Sequence, residues 1–460
     1  MEFDKKIIGT LVPLTALFSS EQNAEDRGTF ETGIIFLDWL KKTAQNAWQL
    51  LPLHETQLEP GSRDKRVPSP YKSYGIGLSP RYLPSSFAKK FPTENELKEF
   101  VAIHKEWIHD YALYCALADF YHTDDWRTWD EDLKKRDKKA IEEWTTQLKK
   151  EINFHIITQW RLHLSYDILR EKAHESGITL IGDLPFYLTM QSPLVWAHPE
   201  VFQIQEDGTM PFVSGIPDSP SAHFGRQVWG HPLYNWELRD KTILFWEMRL
   251  QYLSTLFDLI RLDHAKAFFE YGVIDPKNSH NDSFKKGPGT VVLEDLVAFC
   301  HDNDLKIFAE DSGEHVREVR DSLQKLHIPG IKIFRFAYEE KKDKIIQGYA
   351  DIVNYPENTV LYTTTHDTEP LLGYLKILSP VQKRSIAAYT QVKYSDLDKE
   401  FAIRLRNALL KSPARIVIIP IQDWLLTTER INIPGTEKLV NDPNWQFRLQ
   451  MSIEQLPVSL

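Results

Sequence analysis

Eight short runs of apolar and β-branched residues recur along the chain, and each ends in a turn or a polar group. They are Ile7–Leu14, Ala47–Leu53, Ile178–Phe186, Phe257–Asp263, Leu305–Glu310, Ile331–Phe336, Thr359–Thr365 and Ala414–Ile421. Helical patterns separate most of these runs, and strands that alternate with helices form a parallel sheet. Eight such units predict an α/β fold, a closed (β/α)8 TIM barrel. A doubly wound open sheet is the alternative, although the chain lacks the glycine-rich first turn typical of that fold.

Two long segments interrupt the alternation of strands and helices. Segment 54–177 begins as a loop rich in Pro, Gly and Ser and continues as a charged helical stretch. We therefore predict a mostly helical subdomain inserted between the second and third strands of a single barrel that spans residues 1–460. Segment 196–246 is also irregular and is predicted to be an inserted active-site loop region, because loops of this length in a compact domain are usually functional.

Composition argues against several other classes of protein. The 460 residues carry a formal net charge of −10, which disfavours a nucleic-acid or anionic-membrane partner because either needs a basic face. Two cysteines, and an N-terminus without the pattern of a signal peptide, favour the cytoplasm. No apolar run approaches the roughly 20 residues of a membrane span. Phosphate-loop, dinucleotide and zinc-binding motifs are absent as well.

Acidic residues stand at the ends of four of the predicted strands. Asp183 lies near the end of the third run, Asp263 ends the fourth, Glu310 ends the fifth, and Asp367 follows the seventh. The carboxyl ends of the strands of a (β/α)8 barrel surround the active site, so these side chains are predicted to converge. Arg261 precedes Asp263 by two positions, and the two side chains therefore share one face of a strand.

A cluster of carboxyl groups suits glycosidic chemistry. A retaining mechanism needs a carboxylate nucleophile and a carboxylic acid roughly 5–5.5 Å apart. We expect Arg261 to keep Asp263 ionised, and burial with like-charged neighbours to keep the acid protonated. Any single acid could instead cap a helix, and the Arg–Asp pair could be structural. A metal-dependent barrel hydrolase would also place acids and histidines at strand ends, but the paired HxH ligands typical of one are missing. The residues alone leave both chemistries open.

An ordered set of stretches resembles the 4-α-glucanotransferase family of the amylomaltase, or disproportionating enzyme, type within the α-amylase clan. Among the stretches are FLDWLKKTAQNAWQLLPL, SPYKSY, IGDLPFYL, QVWGHPLYNW, DLIRLDH, FAEDSG, VLYTTTHDT, IPIQDWL and ERINIPGTEKLVNDPNWQFRL. The resemblance implies transfer of α-1,4-glucan segments between maltooligosaccharides by double displacement through a covalent glucosyl-aspartate. It implies α-1,4-glucans and maltooligosaccharides as partners, and neither a cofactor nor a metal.

The resemblance also implies roles for individual residues. Asp263 in RLDH matches the nucleophile, Glu310 in AEDSG the general acid/base, and Asp367 in THDT the third acid, which stabilises the transition state. The positions that match substrate-binding residues are Arg261, His366, His264, Asp183, Tyr71, Ser69, Asp218, Trp229 and Asn432. The loop around Val213–His223 matches one that covers the acceptor side.

Some residues depart from the pattern of the family. Ala265, Lys266 and Ala267 follow RLDH, where an aromatic residue, Arg and Gly are usual, and Thr368 stands where Asn is common. Alanine in place of glycine would crowd the turn if a positive φ is required there. Two alternatives therefore stay open: a catalytically impaired glucan-binding homologue, and a hydrolysis-dominated enzyme of the α-glucosidase type. The sequence does not determine the oligomeric state.

Overall fold

A computed structural model describes residues 5–218, 225–313, 316–340 and 343–459. The strands of the described residues are β1 (Ile7–Leu11), β2 (Ala47–Gln49), β3 (Thr179–Leu184), β4 (Val213–Ile216), β5 (Gln227–Val228), β6 (Leu259–Leu262), β7 (Glu270–Ile274), β8 (Ser283–Lys286), β9 (Ile307–Ala309), β10 (Gly330–Ile333), β11 (Tyr338–Glu339), β12 (Lys344–Ile345), β13 (Thr359–Tyr362) and β14 (Ile416–Pro420). Each of the eight predicted runs overlaps one strand of an eight-stranded sheet in the order β10-β13-β14-β1-β2-β3-β6-β9.

All neighbouring strands of the large sheet run parallel. The two end strands, β9 and β10, meet where the N–H of Ala309 donates to the carbonyl of Pro329 at 3.0 Å. The sheet therefore curls into a barrel, and the prediction of a (β/α)8 fold is confirmed. Residues alternate between the two faces of each strand, so that Ile181, Leu259 and Phe308 belong to one buried cluster in the barrel.

Helices surround the barrel and connect its strands. They are α1 (Phe30–Lys42), α2 (Glu94–Ile103), α3 (Ile108–Tyr121), α4 (Glu131–Lys134), α5 (Lys138–Gln147), α6 (Lys149–Glu175), α7 (Pro193–Ala197), α8 (Arg239–Ser254), α9 (Thr290–Asp302), α10 (Arg317–Lys325), α11 (Gln347–Ala350), α12 (Leu371–Ile377), α13 (Pro380–Thr390), α14 (Asp398–Leu410) and α15 (Ile421–Leu425). Within the described part of the chain, every helix is too short or too polar to span a bilayer.

Helices α2–α6 lie between β2 and β3. Helix α2 begins with a capping box, in which the side chains of Thr93 and Glu96 each bond to the other's backbone N–H. The 27-residue α6 packs against α1 and α3 and then leads into β3. The insertion is thus mostly helical and anchored to the barrel by its last helix, while its limits as a subdomain, residues 54–177, stay a prediction.

A second sheet forms part of the wall above the barrel, and the sequence did not predict it. Strands β5, β4, β7 and β8 pair antiparallel in that order; we call them the rim sheet. Segment 196–246, which we expected to be irregular, supplies two of these strands and the first turns of α8. Gly215 and Gly272 face each other on β4 and β7. A Cβ atom on Gly272 would lie 2.1 Å from the carbonyl oxygen of Gly215, so only glycine permits this close approach.

Candidate active site

A cavity of about 710 Å³ opens at the carboxyl ends of the barrel strands. Its lining includes Asp263 after β6, Glu310 after β9 and Asp367 in the loop after β13. These three acids are far apart in sequence, and the parallel barrel brings them to one rim because every strand ends on the same side. Residues of the rim sheet and of the C-terminal segment 427–459 complete the wall.

The guanidinium of Arg261 contacts three carboxylates at the base of this cavity. Its Nη1 donates to both carboxylate oxygens of Asp183 at 2.7 Å and lies 3.0 Å from Oδ1 of Asp263. Its Nη2 donates to Oε2 of Glu310 at 2.7 Å. Asp183 and Arg261 are register partners on β3 and β6 and are both buried. One cation therefore holds together acids from three strands.

The contacts of Glu310 favour the ionised form of its carboxyl. Besides Arg261, the backbone N–H of His264 donates to its Oε2 at 3.0 Å, and the hydroxyl of Ser312 donates to its Oε1 at 2.7 Å. Burial alone would raise the pKa of Glu310, but the Arg261 charge and these hydrogen bonds lower it to about 2. We had expected the general acid to be protonated, and the contacts of this side chain favour the opposite state.

The pKa of Asp263 is shifted in the opposite direction to that of Glu310. Burial raises the pKa of its carboxyl well above the usual range, and although Arg261 opposes this effect, Asp183, Glu310 and Asp367 add to it. Arg261 makes closer contacts to Asp183 and Glu310 than to Asp263. Arg261 thus lowers the pKa of Asp263 as expected, but burial and the neighbouring carboxylates outweigh this effect, because the same cation is shared with two closer partners.

Asp367, the third acid, belongs to a second cluster in the lining of the same cavity. Asn432 Nδ2 donates to Asp367 Oδ1 at 2.7 Å, and His366 Nε2 lies 3.3 Å from Oδ2. Burial would raise the pKa of Asp367, but His366 and the bond from Asn432 lower it to about 2. The Tyr71 hydroxyl lies 2.9 Å from His366 Nε2 and donates to Asp183 at 2.7 Å. Tyr71 thereby links this cluster to the Arg261 cluster.

The aromatic side chain of Trp229 lies beside His264, the residue that follows Asp263. The Trp229 ring packs edge-to-face on the His264 ring, with centroids 4.9 Å apart. The side-chain amine of Lys72 donates to the carbonyl oxygen of Trp229. Burial lowers the pKa of Lys72 to about 8. Burial and the nearby charge of Lys266 lower the pKa of His264 to about 3. His264 is therefore a neutral wall residue at physiological pH.

Comparison with known proteins agrees with this geometry. The family profile for 4-alpha-glucanotransferase, glycoside hydrolase family 77, matches residues 81–452. The chain belongs to the 4-α-glucanotransferase family. The 4-alpha-glucanotransferase of Aquifex aeolicus is 31% identical and covers 98% of this chain and 96% of its own length. That of Thermus thermophilus is 29% identical over 90% of this chain and 89% of its own length.

Solved structures of relatives share the fold. The amylomaltase from Streptococcus agalactiae, solved in complex with acarbose, superposes with a TM-score of 0.81 at 26% identity and covers 97% of this chain and 95% of that one. The amylomaltase from Corynebacterium glutamicum has a TM-score of 0.73 at 15% identity, over 98% of this chain and 73% of that one. At that identity the second comparison supports the fold alone.

Most residues that the family pattern singled out lie in or under the cavity. The cavity lining contains Arg261, His366, His264, Tyr71, Ser69, Trp229 and Asn432. Asp183 lies buried beneath it, in contact with Arg261 and Tyr71. Asp218 is exposed and is not part of the lining. The expected acceptor-side loop is described only as far as Asp218, and its residues 219–223 lie outside the described residues.

The departures from the family pattern have local explanations. The left-handed turn after Asp263 falls on His264, with φ of 46°, and Ala267 has no positive φ. An alanine at position 267 is therefore not strained, because the turn does not use left-handed backbone there. Thr368 Oγ1 accepts a hydrogen bond from the N–H of Thr365 at 2.9 Å, so this residue closes the turn that presents Asp367.

Sequence reasoning did not single out several residues that line the same cavity. Ser312 and Lys72 lie inside stretches that we quoted, FAEDSG and SPYKSY, but nothing in the sequence indicated their contacts. Trp445, from PNWQFRL, packs on Tyr71 and His366 with ring centroids 5.4 and 5.8 Å apart. Gln49 ends β2 and is almost fully buried. The one sequence signal that pointed to these four residues is that each lies within a stretch that resembles the family.

Proposed function

We propose that this family member is a 4-α-glucanotransferase that moves α-1,4-glucan segments between maltooligosaccharides. The observation that carries the proposal is that Asp263 and Glu310 contact the same guanidinium within one cavity. A retaining mechanism requires such a close pair of carboxyl groups, one as nucleophile and one as acid.

In the first half-reaction, a carboxylate oxygen of Asp263 attacks the anomeric carbon. The glycosidic bond breaks, its electron pair goes to the leaving oxygen, and Glu310 protonates that oxygen. In the second half-reaction, Glu310 takes the proton of an acceptor 4-hydroxyl as that oxygen displaces Asp263. Asp367, held by Asn432, is placed to bind hydroxyl groups of the distorted sugar.

The reaction needs a protonated Glu310 and an ionised Asp263. Burial raises the pKa of Asp263 and the charge of Arg261 lowers that of Glu310, which is the reverse of the order that the reaction needs. We infer that the sugar separates Glu310 from Arg261, which then pairs more fully with Asp263. Losing a cation raises the pKa of Glu310 and gaining one lowers that of Asp263, so one displacement corrects both.

Transfer instead of hydrolysis requires that an acceptor sugar outcompete water at the covalent intermediate. Walls contributed by the insertion, the rim sheet and the C-terminal segment favour this outcome because they enclose the site. We propose α-1,4-glucans and maltooligosaccharides as partners and the cytoplasm as the location. The acidic net charge of −10 is the reason to expect neither nucleic acid nor a membrane as partner.

The products formed from maltotriose test the function. We expect glucose together with maltodextrins longer than maltotriose, and Asp263→Asn should lower the formation of both by ~1000-fold or more. Glucose and maltose without longer chains would identify a hydrolase instead. Binding of maltotriose without any turnover would identify the impaired glucan-binding homologue.

A further inference from the structure

The stretch IPIQDWL has no role in the mechanism above, yet its aspartate is buried beside the active site. Asp423 lies in the short helix α15, directly after barrel strand β14, and is 1% exposed. A buried carboxylate is costly unless it is hydrogen-bonded or paired, so its contacts indicate what it does.

All three hydrogen bonds of the Asp423 carboxylate go to one loop. Its Oδ2 accepts from the hydroxyl of Thr363 and, at 2.6 Å, from that of Thr364. Its Oδ1 accepts from the backbone N–H of Leu371 at 2.6 Å. Thr363 directly follows β13 and Leu371 begins α12. One carboxylate thus joins the start and the end of the segment that contains His366 and Asp367.

Other contacts hold the segment at single points: the N–H of Arg335 donates to the carbonyl of Thr363, and that of Asn432 to the carbonyl of His366, both at 3.0 Å. The hydroxyl of Thr365 accepts from the N–H of Asp367 at 3.3 Å, and Arg430 donates to the carbonyl of Asp367 at 2.8 Å. Arg406, buried in α14, donates to the backbone carbonyls of Asp423 and Trp424 at 3.3 and 3.1 Å. Arg406 therefore fixes the helix, and Asp423 transmits that position to the loop.

We propose that Asp423 is a positioning residue, which ties together both ends of the loop that presents His366 and Asp367 to the sugar. The inference rests on the proposed function and deepens it, since Asp423 does not line the cavity. Burial raises the pKa of Asp423 to about 6 in spite of its three hydrogen bonds, which agrees with a carboxylate kept inside the protein for a specific geometry.

The decisive variant is Asp423→Asn, which keeps the shape of the side chain but cannot accept the same three bonds. We expect kcat on maltotriose to fall ~10–100-fold while KM changes less than about threefold, because a displaced Asp367 weakens the transition state more than ground-state binding. Hydrogen exchange at the amides of Thr365 and Asp367 should accelerate at least ~10-fold.

Asp26→Asn is the matched control. Asp26 is also buried and accepts from the backbone N–H and the hydroxyl of Ser85 at 2.7 and 2.8 Å, but it does not line the cavity. This variant should lower the melting temperature without changing kcat or the exchange of Thr365 and Asp367. If Asp423→Asn loses melting temperature but keeps kcat within about twofold, its role is structural and the inference is wrong.

Thr364→Val provides a second, milder variant that removes one of the three donors. It should also lower kcat, and unchanged kcat together with unchanged hydrogen exchange would overturn the inference even if Asp423→Asn does not fold.

Failure of the proposed function is a separate outcome. Wild-type protein would then form no longer maltodextrins from maltotriose, whereas the exchange comparison does not depend on turnover and still decides whether Asp423 holds the loop.

Discussion

Arg261 shows how one side chain determines the state of a whole site. Spacing on a strand correctly placed it beside Asp263, since residues two apart share a face. The length and fork of the guanidinium also let it reach Asp183 and Glu310, which come from other strands. Sequence could therefore predict the acids and their meeting place. It could not predict which acid holds the proton, because that depends on distances of a few tenths of an ångström between four charged groups.

Ser312 provides a test of these electrostatics. Ser312→Ala removes a hydrogen bond to the ionised carboxylate of Glu310, so the pKa of Glu310 should rise from about 2, by about 0.5–1 pH unit. Carboxyl carbon NMR during acid titration would show Glu310 beginning to take up its proton at a higher pH than in the wild type.

Ser19→Ala is the reciprocal control for that titration. The hydroxyl of Ser19 donates to Oε1 of Glu454 at 2.6 Å, and hydrogen bonds from this region lower the pKa of Glu454 to about 2. The control variant should raise the pKa of Glu454 and leave the Glu310 signal unchanged. A Glu310 midpoint that stays fixed or falls in Ser312→Ala would contradict the assignment of its pKa to these contacts.

At the scale of elements, the barrel strands were predictable and the rim sheet was not. Strands such as β14, IVIIP, are apolar at every position because both of their faces are buried. Strands β4 and β7 each contain a glycine at the point where they pair, and β5 has two residues. Short strands with glycine give no alternating pattern, and β4 pairs with β7 across helix α8 and barrel strand β6, so local reasoning could not identify the sheet.

The packing of the insertion against the barrel makes stability depend on pH. His54, His104 and His163 are buried around Tyr252 of α8, and the rings of His104 and His163 have centroids 4.7 Å apart. Burial lowers the pKa of His54 and of His104 to about 4 and, with the neighbouring His104, that of His163 to about 3. The unfolded chain binds these protons near pH 6.5, so their contribution to stability is present above pH 6.5 and is lost as pH falls toward 4.

His104→Phe should reduce this dependence. Removing one titrating group lowers the slope of the unfolding free energy against pH between about 4 and 6.5, and the difference from wild type should total ~1–3 kcal/mol over that interval. Burial raises the pKa values of Asp167 and Asp423 to about 6, so these two groups contribute a pH dependence of the unfolding free energy with the opposite sign. Both groups are present in the wild type and in the variant, so their contribution cancels when the two slopes are compared.

Phe100→Leu is the control for the histidine variant. Phe100 packs on His104 with ring centroids 4.5 Å apart, so its replacement disturbs the same cluster without removing a titrating group. Denaturant unfolding at a series of pH values should show lower stability with the wild-type slope. An unchanged slope in His104→Phe would show that His104 is not the group that takes up the proton.

At the scale of the whole molecule, the cleft is enclosed by parts of the chain that are far apart in sequence. Tyr71 and Lys72 come from the insertion, Trp229 directly follows rim strand β5, and Asn432 belongs to the C-terminal segment. The N–H of Leu449 donates to the carbonyl of Ala16 at 3.0 Å, which ties that segment to the loop after β1. We therefore expect the ratio of transfer to hydrolysis to depend on the assembled walls as well as on the three acids.

Trp229→Ala should shift this ratio toward hydrolysis. The half-buried indole donates to Oε1 of Gln227, the backbone carbonyl of Trp229 accepts from Lys72, and the ring stands next to His264 in the cavity lining. Losing about 1 kcal/mol of aromatic contact with the acceptor should raise glucose release relative to longer maltodextrins about fivefold. Trp144→Ala, which removes a half-buried tryptophan of α5 outside the cavity, should leave the ratio unchanged. If both variants keep the wild-type product ladder, Trp229 does not bind the acceptor, and the enclosing walls must act through other residues.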